Sequence, residues 1–311
     1  MGERNLEFYV PDDIPPEVLA YESELNQLKV GRAGKVGALV LRLEQDPVKG
    51  KTVVKEQYSK VPLYTQRALY LEESLPSMAY MYIMSPSGGI LQGDRYRMDI
   101  TLKNDACAHL TTQGATRIYR MEKNYATQIV NVVVDNDCYF EFVPDQIIPY
   151  RDSRFYQKVN LNVHDNATMI YSEMIVPGRV ASEESFEYDI CYMKSLGRNQ
   201  NHKLRFIDIA ILEPKKNNLK ILGILGNFDV VGNMYILTKA KHVAELNNEI
   251  NSTLQKFTHI SAGATILPHD SGIIIRMLGN IANDIRNVMY EILKITRRII
   301  LNVSFSGIRK G

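Results

Sequence analysis

Between Lys35 and Leu237 apolar and polar residues mostly alternate, in short runs separated by turn residues. A period of two sends successive side chains to opposite faces of an extended chain, so these runs predict strands. DRYRMDITL sets Asp94, Tyr96, Met98, Ile100 and Leu102 on one face and Arg95, Arg97, Asp99 and Thr101 on the other. KNDA turns the chain into the strand-rich CAHLTTQGATRIYRME, and TQIVNVVVDNDCYFEFVP reads as two strands joined by an Asn-Asp turn. ATMIYSEMIVPGR, SFEYDICYM, KLRFIDIAIL and LKILGILGNF continue the pattern. Helical spacing appears clearly only late. Val243, Leu246, Ile250, Leu254 and Phe257 recur at three and four, as do Ile281, Ile285, Val288, Met289, Ile292 and Ile299. They predict two amphipathic helices over one side of the sheet, with GATILPHDSGIIIRMLG between them forming two strands around a turn.

No linker or internal repeat interrupts this order, so residues 31–311 are expected to form a single, mainly β (α+β) domain. Residues 1–30 form an acidic extension, with Glu3, Glu7, Asp12, Asp13, Glu17, Glu22 and Glu24 against Arg4 and Lys29. Pro15 or Pro16 suits the first turn of a short helix there. A solvated tail and a partner-binding arm fit this stretch equally well.

The hydrophobic share of 45% is enough for a sizeable core. Thirty-seven basic and 35 acidic residues give a net charge of +2, which is no electrostatic footprint for nucleic acid or a membrane surface. Cys107, Cys138 and Cys191 are odd in number and dispersed, which suits reduced thiols better than a disulfide framework. There is no basic head followed by an apolar run and no apolar stretch of membrane-spanning length, so a cytoplasmic protein is expected.

SPSGGILQGD, Ser85 to Asp94, has glycines at the spacing of a phosphate-binding loop, but Asp94 and Arg95 occupy the positions of its lysine and hydroxyl residue. A carboxylate there repels phosphate, and a strand follows instead of a helix. The six histidines show no paired spacing. Cys107 and His109 share a strand face and form the one soft-ligand pair that a nickel or copper ion could meet, although such residues are more often packing groups. No Gly-x-Ser-x-Gly elbow occurs.

Three carboxylates stand on otherwise apolar strand faces. Asp94 is in register with Tyr96, Met98 and Ile100; Glu173 with Met169, Tyr171 and Ile175; Asp208 with Leu204, Phe206, Ala210 and Leu212. An ionised carboxylate in such a place must be hydrated, paired, protonated or bound to a cation. Asp94 as a turn cap and Glu173 paired with Arg179 or Arg151 are structural alternatives to an ion-handling role. A β-rich, carboxylate-dependent hydrolase using Asp94 with Glu173 or Asp208 is the enzymatic alternative.

KVPLYTQRALYL, SPSGGILQGDRYRMDI, HLTTQGATRIYRM, VPDQIIPYRDSRFYQKV, MIYSEMIVPGRVASEESF and VMYEILKITRRII, in this order, resemble the urease accessory protein family UreD, also called UreH. The resemblance runs from about Lys29 to the C-terminus. It implies a layered, β-helix-like stack of sheets with two C-terminal helices. It also implies a non-enzymatic scaffold that binds UreF, through it the nickel-carrying GTPase UreG, and the urease apoprotein. No tightly bound cofactor is implied; nickel(II) would pass transiently through a water-filled tunnel whose acidic positions match Asp94, Glu173 and Asp208. The sequence departs from the family pattern at Glu173, usually aspartate, at Glu183, usually glycine, and in its acidic first thirty residues.

Overall fold

The structure is a computed structural model that describes residues 5–23, 34–305 and 307. Two sheets face each other. The first has seven strands in the order Leu204–Leu212, Ile190–Arg198, Arg154–Val163, Ala126–Val134, Arg95–Lys103, Val36–Asp46 and Lys51–Lys60. The second runs Ser261–Ile266, Ile273–Gly279, Val230–Leu237, Thr168–Ile175, Tyr139–Phe142, Cys107–Thr112, Ala79–Met84 and Tyr64–Thr65, with Ile147–Pro149 and Thr116–Ile118 joined at its side.

From Val36 to Arg198 the chain winds between the sheets, and strands of successive turns pair in parallel. This is the layered, β-helix-like stack expected above. The register sets Asp99, Asn131 and Asn160 side by side. Their side chains bond in a ladder, Asn131 Nδ2 to Asp99 Oδ1 at 2.7 Å and Asn160 Nδ2 to Asn131 Oδ1 at 2.8 Å, so the polar face of one turn fixes the next. Between the sheets lies one core, built from the inward positions that the period of two assigns, including Met98, Ile100, Val130, Phe155, Tyr171 and Tyr235.

A second core lies between the other face of the second sheet and two long helices, Ala240–Leu254 and Ala282–Leu301. Val243, Leu246, Ile250, Ile285, Val288, Met289 and Ile292 are buried as the helical spacing predicts. Ile281 departs from that stripe: it precedes the last helix as its cap residue and is exposed. The predicted strand LKILGILGNF is instead a series of turns, with positive φ at Gly223 and Gly226 and the Leu222 side chain 97% exposed. Large exposed apolar residues gather here and on the adjacent outer edge strand, at Ile207, Ile209 and Ile211, rather than on the helices.

Residues 5–23 lie against the outer face of the first sheet. Val18 packs with Tyr125, Tyr156, Ile190 and Tyr192. Asp13 accepts from Lys194 Nζ at 2.6 Å, and Lys158 Nζ lies 2.6 Å from Asp12 and 2.8 Å from Asp13. The acidic character of this stretch is thus matched by lysines of the sheet it covers. The rest of the predicted extension, residues 1–4 and 24–30, lies outside the described residues.

The last helix is held by a buried charge cluster that local sequence does not announce. Arg297 is fully buried. It makes a two-point contact with Glu141, from Nε at 2.7 Å and Nη2 at 2.6 Å, and its Nη1 reaches both oxygens of Glu72 at 2.8 and 2.9 Å. His109 Nδ1 lies 2.6 Å from Glu141, and the Tyr139 hydroxyl donates to the same carboxylate at 2.8 Å. Burial opposes ionisation of Glu141, but the Arg297 guanidinium outweighs it and holds the carboxyl down at about 2.

Candidate functional site

The glycine loop forms one wall of a cavity between the sheets. Gly88 and Gly93 have φ of 77° and 73°, in the region that favours glycine, and a Cβ on Gly89 would stand 2.5 Å from the Tyr119 ring. The loop is therefore shaped by close packing, and the strand Arg95–Lys103 follows it directly. Asp94 at its end is wholly buried and faces inward. Its Oδ1 accepts from the Lys35 amide at 2.9 Å, and its Oδ2 accepts from the Leu91 amide and the Tyr96 hydroxyl, each at 2.9 Å. Burial raises the Asp94 carboxyl, and the two amides and the Lys35 ammonium act against that rise. Asp94 is thus a staple between the loop and the start of Val36–Asp46. Replacing it with alanine strands three donors and should cost about 2–4 kcal/mol of stability, read from urea unfolding.

The cavity holds about 260 Å³ and runs from Ser85, Gly88 and Arg117 at the loop to Tyr171 and Glu173 within the sandwich. Its wall is apolar at Met98, Val130, Phe142 and Ile147 and polar at Tyr96, Gln128 and Gln157. The polar residues continue as a bonded line. Gln128 Nε2 donates to Gln157 Oε1 at 2.8 Å, Gln157 Nε2 to the Tyr171 hydroxyl at 3.2 Å, and that hydroxyl to Glu173 Oε2 at 3.2 Å.

Glu173 is 5% exposed and takes further contacts at Oε1 from Asn233 Nδ2 at 3.0 Å and the Tyr235 hydroxyl at 3.3 Å. Tyr235 also bonds Asp208, whose other oxygen lies 2.7 Å from Arg276 Nη2. Burial pushes the Glu173 carboxyl up, and the charge of Asp208 adds to the rise while Asn233 opposes it. The line therefore crosses the sandwich from the glycine-loop cavity to its open edge, where Arg276 is half exposed.

Of the three predicted carboxylates, Tyr235 joins Glu173 to Asp208, whereas Asp94 sits apart behind Tyr96 on the cavity wall. The arginines suggested for Glu173 are engaged elsewhere: Arg179 pairs with Glu184 and Arg151 with Glu187. Leu204 does not share the inward face of Asp208, because the register shifts between Gly197 and Arg198 and turns it outward. Gln128, Gln157, Asn233, Tyr235 and Arg276 were not singled out by sequence. Polar residues on inward positions of Ala126–Val134, Arg154–Val163 and Val230–Leu237 were the available signal.

Cys107 and His109 face the helices, away from this crossing. His109 is bonded to Glu141 and stacked on Tyr80 at 5.3 Å, and burial raises the Cys107 thiol, which disfavours its thiolate. Among the described residues no group of three His, Cys, Asp or Glu side chains is placed to hold a metal ion. Among the same residues no helix is long and apolar enough to cross a membrane.

The family model described as UreD urease accessory protein matches residues 35–309, nearly the whole of the layered unit. The chain belongs to the UreD family. A relative from Cenarchaeum symbiosum (strain A), named urease accessory protein UreD, is 40% identical over 286 residues, 92% of this chain and 100% of the relative. Another of that name, from Yersinia enterocolitica, is 36% identical over 297 residues, 93% of this chain and 90% of its own. Urease accessory protein UreD 2 of Brucella canis is 36% identical over 290 residues, covering 93% and 95%. The packed N-terminal residues 5–23 precede the part matched by the UreD family model. Glu183, where the resemblance to UreD expects glycine, has φ of 61°, so the backbone keeps the conformation that glycine favours.

Proposed function

We propose that this chain serves urease maturation in the cytoplasm as a non-catalytic scaffold. In this reading it binds UreF, through it the GTPase UreG, and the urease apoprotein, and nickel(II) passes through it toward the urease active site. Membership of the UreD family supports the maturation role. The observation that carries the path is the unbroken polar line from the cavity through Glu173 to Asp208 at the sandwich edge. Spaced oxygen donors suit an ion in transit, because they hold nickel(II) more weakly than a cluster of imidazoles and thiolates would. Glu173 and Asp208 are stations on this path, and Asp94 shapes its mouth by fixing the glycine loop and Tyr96.

The hydrolase alternative needs Asp94 and a second carboxylate to face one substrate. Both Asp94 oxygens are already taken by amides and Tyr96, which favours the scaffold. The decisive experiment is co-expression with UreF, UreG and the urease subunits, followed by size-exclusion chromatography and a urease assay with and without this chain. A stable complex and nickel-dependent activity that requires the chain are expected. Equal urease maturation without it, and no complex, would overturn the proposal.

A further inference from the structure

The crossing reaches solvent at a point closed by a cation of the protein itself. Asp208 lies on the edge strand of the first sheet, and Arg276 lies on Ile273–Gly279, next to the edge strand of the second. Their 2.7 Å ion pair spans the gap between the sheets. The Asp208 side chain is 13% exposed and that of Arg276 is 50% exposed, so the guanidinium has solvent to move into.

Inside this pair the strands set Asn233 beside Glu173 on one neighbour and beside Arg276 on the other. Asn233 is 2% exposed. Its Nδ2 donates to Glu173, but its Oδ1 has no hydrogen-bond partner among the described residues. A buried amide oxygen without a donor carries a desolvation cost that a cation could relieve, and amide and carboxylate oxygens are ordinary ligands of divalent ions. The formal charges point the same way. With Arg276 on Asp208, one carboxylate charge is left for an arriving ion; with Arg276 withdrawn, two carboxylates balance a divalent cation.

We propose that Arg276 gates the sandwich edge: a divalent cation passes between the Glu173 and Asn233 oxygens and Asp208 only when the guanidinium swings off Asp208 into solvent. The gate rests on the nickel path proposed above and adds its control. Arg276 is a positioning residue here, since it excludes the ion from Asp208 and does not bind it.

The test uses the assembled complex of this chain with UreF, UreG and apo-urease, titrated with nickel(II), reading urease activity and urease nickel content by mass spectrometry. Arg276→Gln should lower the half-activating nickel concentration about threefold, the scale of one partly exposed ion pair. Asp208→Asn releases Arg276 as well but removes the carboxylate charge that draws the ion outward, so it should raise that concentration. A purely structural ion pair would move both variants the same way, which would overturn the gate. Glu173→Gln separates the two ideas. If it lowers nickel loading while Arg276→Gln changes nothing, the gate falls and the path stands; if Glu173→Gln also leaves loading unchanged, the path falls and the gate with it.

Discussion

Arg297→Ala should lower the unfolding free energy by about 3–5 kcal/mol at neutral pH, because it leaves two buried carboxylates without their cation. Glu72 and Glu141 lie far apart in sequence, and Arg297 is the group that brings their charges together beneath the last helix. The pH dependence sharpens the prediction. The folded Glu141 carboxyl is held near 2, below the ordinary 4.5, so its contribution is fully present above about 4.5 and is lost as pH falls from there toward 2. Without Arg297 the burial of Glu141 is opposed only by His109 and Tyr139, so its carboxyl rises and protonation relieves the variant. The deficit should therefore begin to shrink above about 4.5, as the variant's raised carboxyl protonates, and shrink further below it as the parent loses its own contribution. Urea unfolding of both proteins at pH 7 and pH 4 measures this. A variant within about 1 kcal/mol of the parent at pH 7 would show that the cluster is not what fastens the helix.

Glu173→Gln should reduce nickel loading of urease about tenfold or more, the usual scale for losing a group that supports metal handling, while UreF still co-purifies. The amide keeps the shape of the carboxylate and removes its charge, so packing among Tyr171, Asn233 and Tyr235 is retained. Loading can be measured as nickel per urease active site after co-expression. Loss of UreF binding with an unchanged melting curve would contradict a path role and assign Glu173 to partner recognition. Unchanged loading would remove Glu173 from the path.

These two predictions concern polar clusters on opposite faces of the second sheet. On one face, Arg297 is buried beside the second core, where it orders the last helix. On the other face, Glu173 borders open volume and has a route to solvent through Tyr235, Asp208 and Arg276. The chemistry of a buried carboxylate is decided by that difference. Glu141 is matched by a fixed guanidinium and stays ionised; Glu173 is met mainly by neutral donors, and burial raises its carboxyl.

Local pattern determined most of the elements. Alternation assigns the inward faces of Arg95–Lys103 and Thr168–Ile175, and spacing at three and four assigns the buried stripes of both long helices, because burial on a regular backbone repeats with its period. It also placed Asp94 and Glu173 inside. It failed at Leu219–Phe228, where an apolar run looks like a strand but two glycines with positive φ turn the chain. It likewise missed the register shift that turns Leu204 outward. What only the tertiary structure decided is which polar groups meet. Parallel stacking of successive turns brings Gln128 beside Gln157, and the facing of two sheets brings Tyr235 to Asp208 and Arg276 to the same carboxylate. Each residue has an ordinary local setting; the crossing exists because residues distant in the chain are packed at one depth between the sheets, a relation that no local period encodes.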